Sequence, residues 1–152
     1  MKYTFISKIG PITIVSKNQK ITEIILNSSD LTTSEPDELV LRTKLEIEAY
    51  LDGRLKQFSV PVQLNLTEFQ NQVLLTMKDI PYGQTWTYEL LAKEAGFPKA
   101  YRAVGSACKK NPLPIIIPCH RVVKKNGEVG SYQFGKELKT YLINQEKKVL
   151  KF

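Results

Sequence analysis

The sequence predicts an α+β protein: a small N-terminal β-meander with one helix, then a mainly helical C-terminal part that contains a helix-turn-helix. Three observations carry this. Residues 3–7, 12–16 and 21–27 are short runs enriched in Ile, Val, Thr, Tyr and Phe, with turn residues between them. From Leu41 onward, apolar residues recur at helical rather than alternating spacing. The charge also divides the chain: residues 1–67 hold 8 Lys+Arg against 8 Asp+Glu, and residues 68–152 hold 14 against 7. The whole net charge of +7 therefore lies in the second part.

Gly10-Pro11 and Asn18-Gln19 are the expected turns of the meander. Leu41, Leu45 and Ala49 then recur every four residues, with Ser34 or Asp37 as N-cap and Gly53 as a stop, which predicts a helix. Leu55 to Leu66, with Pro61, reads as a linker or an irregular strand. The charge balance changes there too, so the expected domains are 1–66 and 67–152. Thr67-Glu68-Phe69-Gln70 fits a capping box, opening a helix with Phe69, Val73 and Met77 as its apolar face, broken at Pro81-Tyr82-Gly83. Thr87 can cap a helix Tyr88–Ala95 that ends at Gly96. Pro98 fits the first turn of a second helix running to about Lys110, with Tyr101, Val104 and Cys108 on one side. Two helices joined by a short turn, the second basic, form a helix-turn-helix candidate. Asn111-Pro112 stops that helix, and Leu113 to Ile117 is an apolar run expected to be buried. Lys125-Asn126-Gly127 signals a hairpin-type turn, and a last helix covers about Lys136 to Val149.

Composition excludes several classes. With 42% hydrophobic and 24% charged residues, the chain is globular rather than disordered. No apolar run approaches the ~20 residues of a membrane span. The opening Met1-Lys2-Tyr3-Thr4-Phe5 alternates polar with apolar and is not a signal peptide, so a cytoplasmic protein without membrane partners is expected. The basic second part suits a polyanion such as nucleic acid, although a solubilising surface explains the charge equally well. Two cysteines and one histidine support neither a disulfide scaffold nor a four-ligand zinc site.

The chemistry concentrates at Pro118-Cys119-His120-Arg121. A free thiol with a pKa of about 8.5 is only slightly ionised at neutral pH, and the thiolate is the nucleophile. The neighbouring His120 can act as its base, through a bridging water if the two side chains do not face each other. A buried cysteine beside a hydrogen-bonded histidine is the commoner fate of such a pair. Against it, Pro118 and the buried run fix the approach, and Arg121 adds positive charge that favours a thiolate. Leu138, Leu142, Glu146 and Val149 also share one face of the last helix, so a carboxylate interrupts an apolar stripe. Either Glu146 orients His120 as the third member of a triad, or it sits at the helix edge toward Lys147 and solvent. Helical phase leaves both open.

Ile117-Pro118-Cys119-His120-Arg121-Val122-Val123 resembles the active-site signature of the O6-alkylguanine-DNA alkyltransferases, or methylated-DNA–protein-cysteine methyltransferases. The similarity runs from about Phe69 to Glu146 and includes Asn111-Pro112-Leu113-Pro114. The N-terminal third is compatible in layout with that family's small ribonuclease-H-like domain. The resemblance implies direct-reversal repair of double-stranded DNA bound through its minor groove. An alkylated guanine is flipped out, and Cys119 takes the alkyl group from O6 (or from O4 of thymine) irreversibly, once per chain. No cofactor is implied, and a monomer suffices.

His120 would be the base through a water, held by Glu146. Tyr88 matches the tyrosine that serves guanine N3 as charge builds on the base; without the family it reads as a first-turn helix residue. Arg102 corresponds to the arginine that fills the gap left by the flipped nucleotide, and otherwise reads as an exposed helix arginine. Ala100, Tyr101, Ala103 and Gly105 accompany it on the recognition helix. Asn111 matches the hinge asparagine between that helix and the active-site turn, a role compatible with a helix C′ residue. Val122, Tyr132, Gln133 and Phe134 align with substrate-binding positions, the last three in the loop that closes over guanine.

Two departures stand out. The family often has small residues where the recognition helix begins; Ala100 and Ala103 keep that pattern and Tyr101 does not. Tyr101 either turns inward as core or rests against a sugar. Phe134 replaces what is frequently glycine or another small residue, and is expected to narrow the pocket against benzyl-sized groups. Three other readings compete. A binding-only module is one, as in family relatives with tryptophan in place of the acceptor cysteine. A cysteine hydrolase using Cys119, His120 and Glu146 is the second. The third, a helix-turn-helix regulator, leaves the Pro-Cys-His-Arg run unexplained. Cys108 reads as a small buried hydrophobe, and Lys124 and Lys125 as solvated hairpin residues open to phosphate contact.

Overall fold

The computed structural model describes residues 1–31 and 33–150. The chain divides into two compact units, Met1–Leu64 joined by Pro112–Pro114, and Asn65–Asn111 with the chain from Ile115 onward.

In the first unit β1 (Lys2–Ser7), β2 (Gly10–Lys17) and β3 (Lys20–Leu26) form an antiparallel meander in that order. Asn18 and Gln19 make its second turn, both at positive φ (52° and 62°), a conformation that matches the twist of the flanking strands. The first turn is not the expected one. Ser7 pairs with Gly10, so the loop is Lys8-Ile9, and Gly10-Pro11 opens β2. Pro11 is tolerated in this middle strand because it lies beyond Ile12↔Leu26, the last pair with β3, where no ladder N–H is needed.

Helix α1 (Glu38–Leu51) is capped by Asp37, which accepts from Val40 N, and is followed by Gly53 at φ 77°. It does not pack through the expected stripe, since Leu41 and Leu45 are 43% and 58% exposed. Val40, Thr43, Ile47, Tyr50 and Leu51 are buried instead. Both stripes obey helical spacing, and the second brings more apolar area to the sheet, so burial favours it. The 55–66 segment is partly paired: Val62 bridges Ile21, with Ile21 N–Pro61 O at 2.9 Å and Gln63 N–Ile21 O at 3.0 Å. Ile24 N donates to Pro112 O at 2.8 Å, which ties Pro112–Pro114 to β3.

The second unit opens on the capping box of α2 (Glu68–Met77). Gln70 N donates to Thr67 Oγ1 at 3.1 Å and Thr67 N to Gln70 Oε1 at 3.2 Å, a device that stabilises by ~1 kcal/mol. α3 (Tyr88–Glu94), capped by Thr87, and α4 (Tyr101–Lys109) form the helix-turn-helix. α4 starts later than the sequence suggests. Ala100 N bonds Phe97 O at 2.9 Å, closing a separate turn over Pro98, and Ala100 is the N-cap without a capping side chain. Val104, Ala107 and Cys108 are buried while Tyr101 is 42% exposed. Tyr101, the first residue of α4, is therefore not core.

Lys125-Asn126-Gly127 closes a turn, with Lys124 N–Glu128 O at 2.9 Å, but no hairpin ladder follows. β5 (Val122–Val123) pairs in parallel with β4 (Trp86–Thr87). α5 (Lys136–Leu150) completes the unit. Among the described residues no helix is long and apolar enough to cross a membrane.

Candidate active site

The segment from Leu113 to Ile117 is buried, and Ile115 takes φ 74°. A β-branched residue in that region costs roughly 1–3 kcal/mol and persists only where the surroundings over-determine it. Asn111 supplies part of that constraint: its Nδ2 donates to Ile117 O at 2.9 Å, and its carbonyl accepts from Gln133 Nε2 at 2.9 Å. The end of α4, the approach to Cys119 and the 131–134 loop thus meet at one asparagine. Cys119, His120 and Arg121 form a single 3-10 turn closed by Arg121 N–Pro118 O at 2.9 Å. The chain then enters β5, with Trp86 opposite Val122 and Thr87 opposite Val123. Because Thr87 also caps α3, this short ladder sets Tyr88 beside the turn.

Glu146 faces inward, which decides between its two readings. It is 1% exposed, and its Oε2 lies 2.6 Å from His120 Nε2. Arg121 Nε donates to Oε1 at 2.9 Å and Arg121 Nη2 to Oε2 at 3.2 Å, while Gly83 N donates to Oε1 at 2.9 Å. Gly83 has φ +82°, a conformation that favours glycine, and a Cβ there would push the Leu150 side chain aside. Burial pushes the Glu146 carboxyl up, but the hydrogen bonds of His120 and Arg121 prevail and hold it at about 2.

Arg121 does not serve the thiol directly, as the sequence suggested. Its guanidinium is occupied by Glu146, by Ile80 O at 2.8 Å and by the Tyr82 ring at 5.5 Å. A buried carboxylate needs a cation, and Arg121 is the one that neutralises it.

His120 is completely buried, and that burial holds it below the usual histidine value, with Glu146 opposing and Arg121 and Lys139 assisting. It is neutral at pH 7. The ionised Glu146 can only accept, so Nε2 carries the hydrogen and Nδ1 the lone pair. That tautomer is the one able to take a proton on its other side.

Cys119 is 5% exposed. Burial pushes its thiol above the ordinary value, against hydrogen bonds from Asn111 and Tyr132 and the charge of Lys139, so the resting form is the thiol. Tyr88, Cys108, Tyr132 and Gln133 line a cavity of about 10 Å³ with it, room for one water. Burial, then the two thiols, push the Tyr88 phenol up to about 12, so it stays a hydrogen-bond donor. Cys108 is raised to about 12 by burial and then by Cys119, an inert buried thiol in the same cavity. Phe134 meets Tyr132 edge-on at 5.7 Å in the loop, and Val122 is fully buried.

A wider depression of about 350 Å³ lies along α4, lined by Tyr88, Tyr101, Arg102, Gly105, Lys109 and Lys124 among others. It shares Tyr88, Lys109 and Ser131 with the small cavity at Cys119. Arg102 is exposed on it and Gly105 half-buried, while Ala103 is exposed and Ala100 half-buried outside its lining. The fold therefore gathers Cys119, His120, Glu146, Tyr88 and Asn111 around one buried point, with the α4 residues on an open surface beside it.

Two participants escaped sequence reasoning. Gly83 acts through a backbone amide and leaves no residue-type signal. Lys139 is 1% exposed, with Nζ 3.2 Å from Ser131 O and 5.9 Å from the centre of the Tyr88 ring. Its signal was the helical phase, since Lys139, Leu142, Ile143 and Glu146 are the buried face of α5. The stripe drawn through Leu138 and Val149 misses it, both being only half-buried.

A family model described as "6-O-methylguanine DNA methyltransferase, DNA binding domain" matches residues 68–148, and one described as the same enzyme's ribonuclease-like domain matches residues 1–64. The chain belongs to the 6-O-methylguanine DNA methyltransferase family. It is 38% identical over 148 residues to a methylated-DNA–protein-cysteine methyltransferase of Methanosarcina acetivorans, covering 93% of this chain and 95% of that one. The constitutive methylated-DNA–protein-cysteine methyltransferase of Bacillus subtilis is 36% identical over 149 residues, covering 91% and 90%. Among solved structures, Mycobacterium tuberculosis OGT in complex with DNA superposes with a TM-score of 0.88 at 35% identity, covering 97% of this chain and 93% of that one. The α+β class and the ribonuclease-like N-terminal part expected from the sequence agree with these matches.

Proposed function

We propose that this chain repairs alkylated DNA by direct reversal, moving an alkyl group, methyl above all, from O6 of guanine or O4 of thymine to Cys119. One arrangement carries the reading. A buried thiol that lines a cavity sized for one water is followed, in the same 3-10 turn, by a neutral imidazole whose tautomer a carboxylate locks at 2.6 Å. Family membership and the likeness to a DNA-bound relative support it.

The target guanine leaves the base stack and enters the depression along α4, because a buried thiol cannot reach its O6 substituent while it is stacked. Arg102 fills the gap with its planar cation. Ala100, Ala103 and Gly105 let α4 approach the minor groove, Tyr101 rests against the backbone sugars, and Lys109, Lys124 and Lys125 meet phosphates. The Cys119 proton passes through a water to Nδ1 of His120, and Glu146 stabilises the imidazolium. Sulfur bonds the alkyl carbon as the carbon–O6 bond breaks, and the electron pair moves onto guanine. Tyr88 donates to N3 of that anion. Val122, Tyr132, Gln133 and Phe134 hold the base against the loop. The product is a thioether without a ready leaving group, so each chain acts once, and a monomer is sufficient.

Mass spectrometry of the chain mixed with an O6-methylguanine duplex tests this. The expected result is one methylene's mass on the Cys119 peptide, at most one event per chain, and none with Cys119→Ser. Binding with an unmodified Cys119 would leave only a binding module, and many turnovers per chain would point to a hydrolase.

A further inference from the structure

We propose that Lys139 is a further functional residue of this site, a positioning residue whose buried ammonium is the counter-charge for the thiolate that forms when Cys119 gives up its proton. The inference rests on the reading of Cys119 as the acceptor.

A lysine at 1% exposure is uncommon and needs a reason. Its identified contacts, the Ser131 carbonyl and the Tyr88 ring, carry no full negative charge. The titratable groups that face it are Tyr88 from α3, Cys108 from α4, and Cys119 and His120 from the 3-10 turn. Tyr88 and Cys108 are both held near 12 and stay neutral. His120 can only be neutral or positive. Burial raises Cys119 as well, but it directly precedes His120 in the 3-10 turn, a base able to take its proton, so it is the group among them that can supply an anion.

The charge balance points the same way. Glu146 and Arg121 already neutralise each other through two hydrogen bonds, and His120 rests neutral. The charge on Lys139 has no such match until Cys119 ionises. When His120 takes the proton, the thiolate faces the ammonium and the imidazolium faces Glu146, so each new charge meets its opposite. Burial pulls Lys139 down to about 8 while the two thiols draw it back up, so its charge is itself coupled to theirs. The bond to Ser131 O also places the ammonium at the loop that carries Tyr132.

The test needs no DNA, which separates its failure from failure of the repair reading. In a Cys108→Ala background, the rate of iodoacetamide labelling of Cys119 is followed against pH for wild type, Lys139→Gln and Lys139→Arg. Lys139→Gln is expected to raise the Cys119 pKa by about a unit or more, slowing labelling at pH 7.5 by ~10-fold, with recovery in alkali. Lys139→Arg keeps the charge and should stay within about threefold of wild type. Equal losses in both variants at every pH would assign Lys139 a purely structural role and overturn the proposal, as would an unchanged titration in Lys139→Gln.

A second measurement does not depend on any Lys139 variant folding. The Lys139 side-chain resonance of lysine-labelled protein is titrated in wild type and in Cys119→Ser. Coupling is reciprocal, so loss of the thiolate should lower the Lys139 pKa, and identical titrations would overturn the proposal. If both measurements succeed while no alkyl group moves from DNA, the counter-charge stands and the repair reading falls.

Discussion

Replacing Glu146 by glutamine preserves the shape of the side chain and removes its charge. The wild-type carboxylate accepts four N–H groups, from His120, from two nitrogens of Arg121 and from Gly83. A glutamine has one carbonyl oxygen, so in either orientation its amide nitrogen meets two donors. Breaking a buried pair in this way costs ~3–5 kcal/mol, because Arg121 is left as an unmatched cation. The carboxyl's own titration supplies an independent figure. Its fall from 4.5 to about 2, part of which comes from a charge on His120 that is absent at pH 7, corresponds to at most roughly 3 kcal/mol of stability at neutral pH.

The sign follows from linkage. The folded value lies below the unfolded one, so the contribution is complete above pH 4.5 and is lost as pH falls through about 2. Urea unfolding, followed by circular dichroism and the fluorescence of Trp86, measures it. Glu146→Gln is expected to be less stable than wild type by about 3 kcal/mol at pH 7, with the gap shrinking to roughly 1 kcal/mol at pH 3. A gap under about 1 kcal/mol at pH 7, or one that does not change with acid, would refute the assignment of Glu146 as a buried, hydrogen-bonded anion.

Two further predictions concern substrate handling. Arg102→Ala should slow transfer from duplex DNA while leaving the reaction with free O6-benzylguanine unchanged, because Arg102 lies on the open depression and not at Cys119. Equal slowing of both reactions in single-turnover assays would assign Arg102 a structural role instead. Phe134→Gly removes the ring that packs edge-on against Tyr132, and should raise the benzyl-to-methyl rate ratio. An unchanged ratio in competition experiments would remove Phe134 from the pocket wall.

Much of the fold was legible because its signals are local. The Thr67–Gln70 box, the Thr87 cap, the Asn18-Gln19 turn and the Asp37 cap each depend on residues within one turn of chain, and each forms as its residue types require. The errors lie where two local solutions competed. α1 had two helical stripes, and the sheet selected the one through Val40, Ile47 and Leu51 over Leu41 and Leu45. Gly10-Pro11 carried the turn signal, and strand register put the turn at Lys8-Ile9 instead. Tyr101 was open between core and surface, and at the first residue of α4 it is 42% exposed.

The sequence by itself determined the chemistry at Cys119 as a list of parts: a thiol, the chain's only histidine beside it, and a carboxylate on an apolar helix face 26 residues from that histidine. It also determined where the basic charge lies. Only the tertiary structure decided how those parts are wired. The 2.6 Å contact makes Glu146 the anchor of His120, and the same carboxylate claims Arg121, which the sequence had assigned to the thiol. The physical reason is that burial charges a cost for every unmatched ion, and which ions are matched depends on distances that no sequence spacing encodes. For the same reason Lys139 was invisible as a neighbour of Cys119 until α5 was docked against the 3-10 turn.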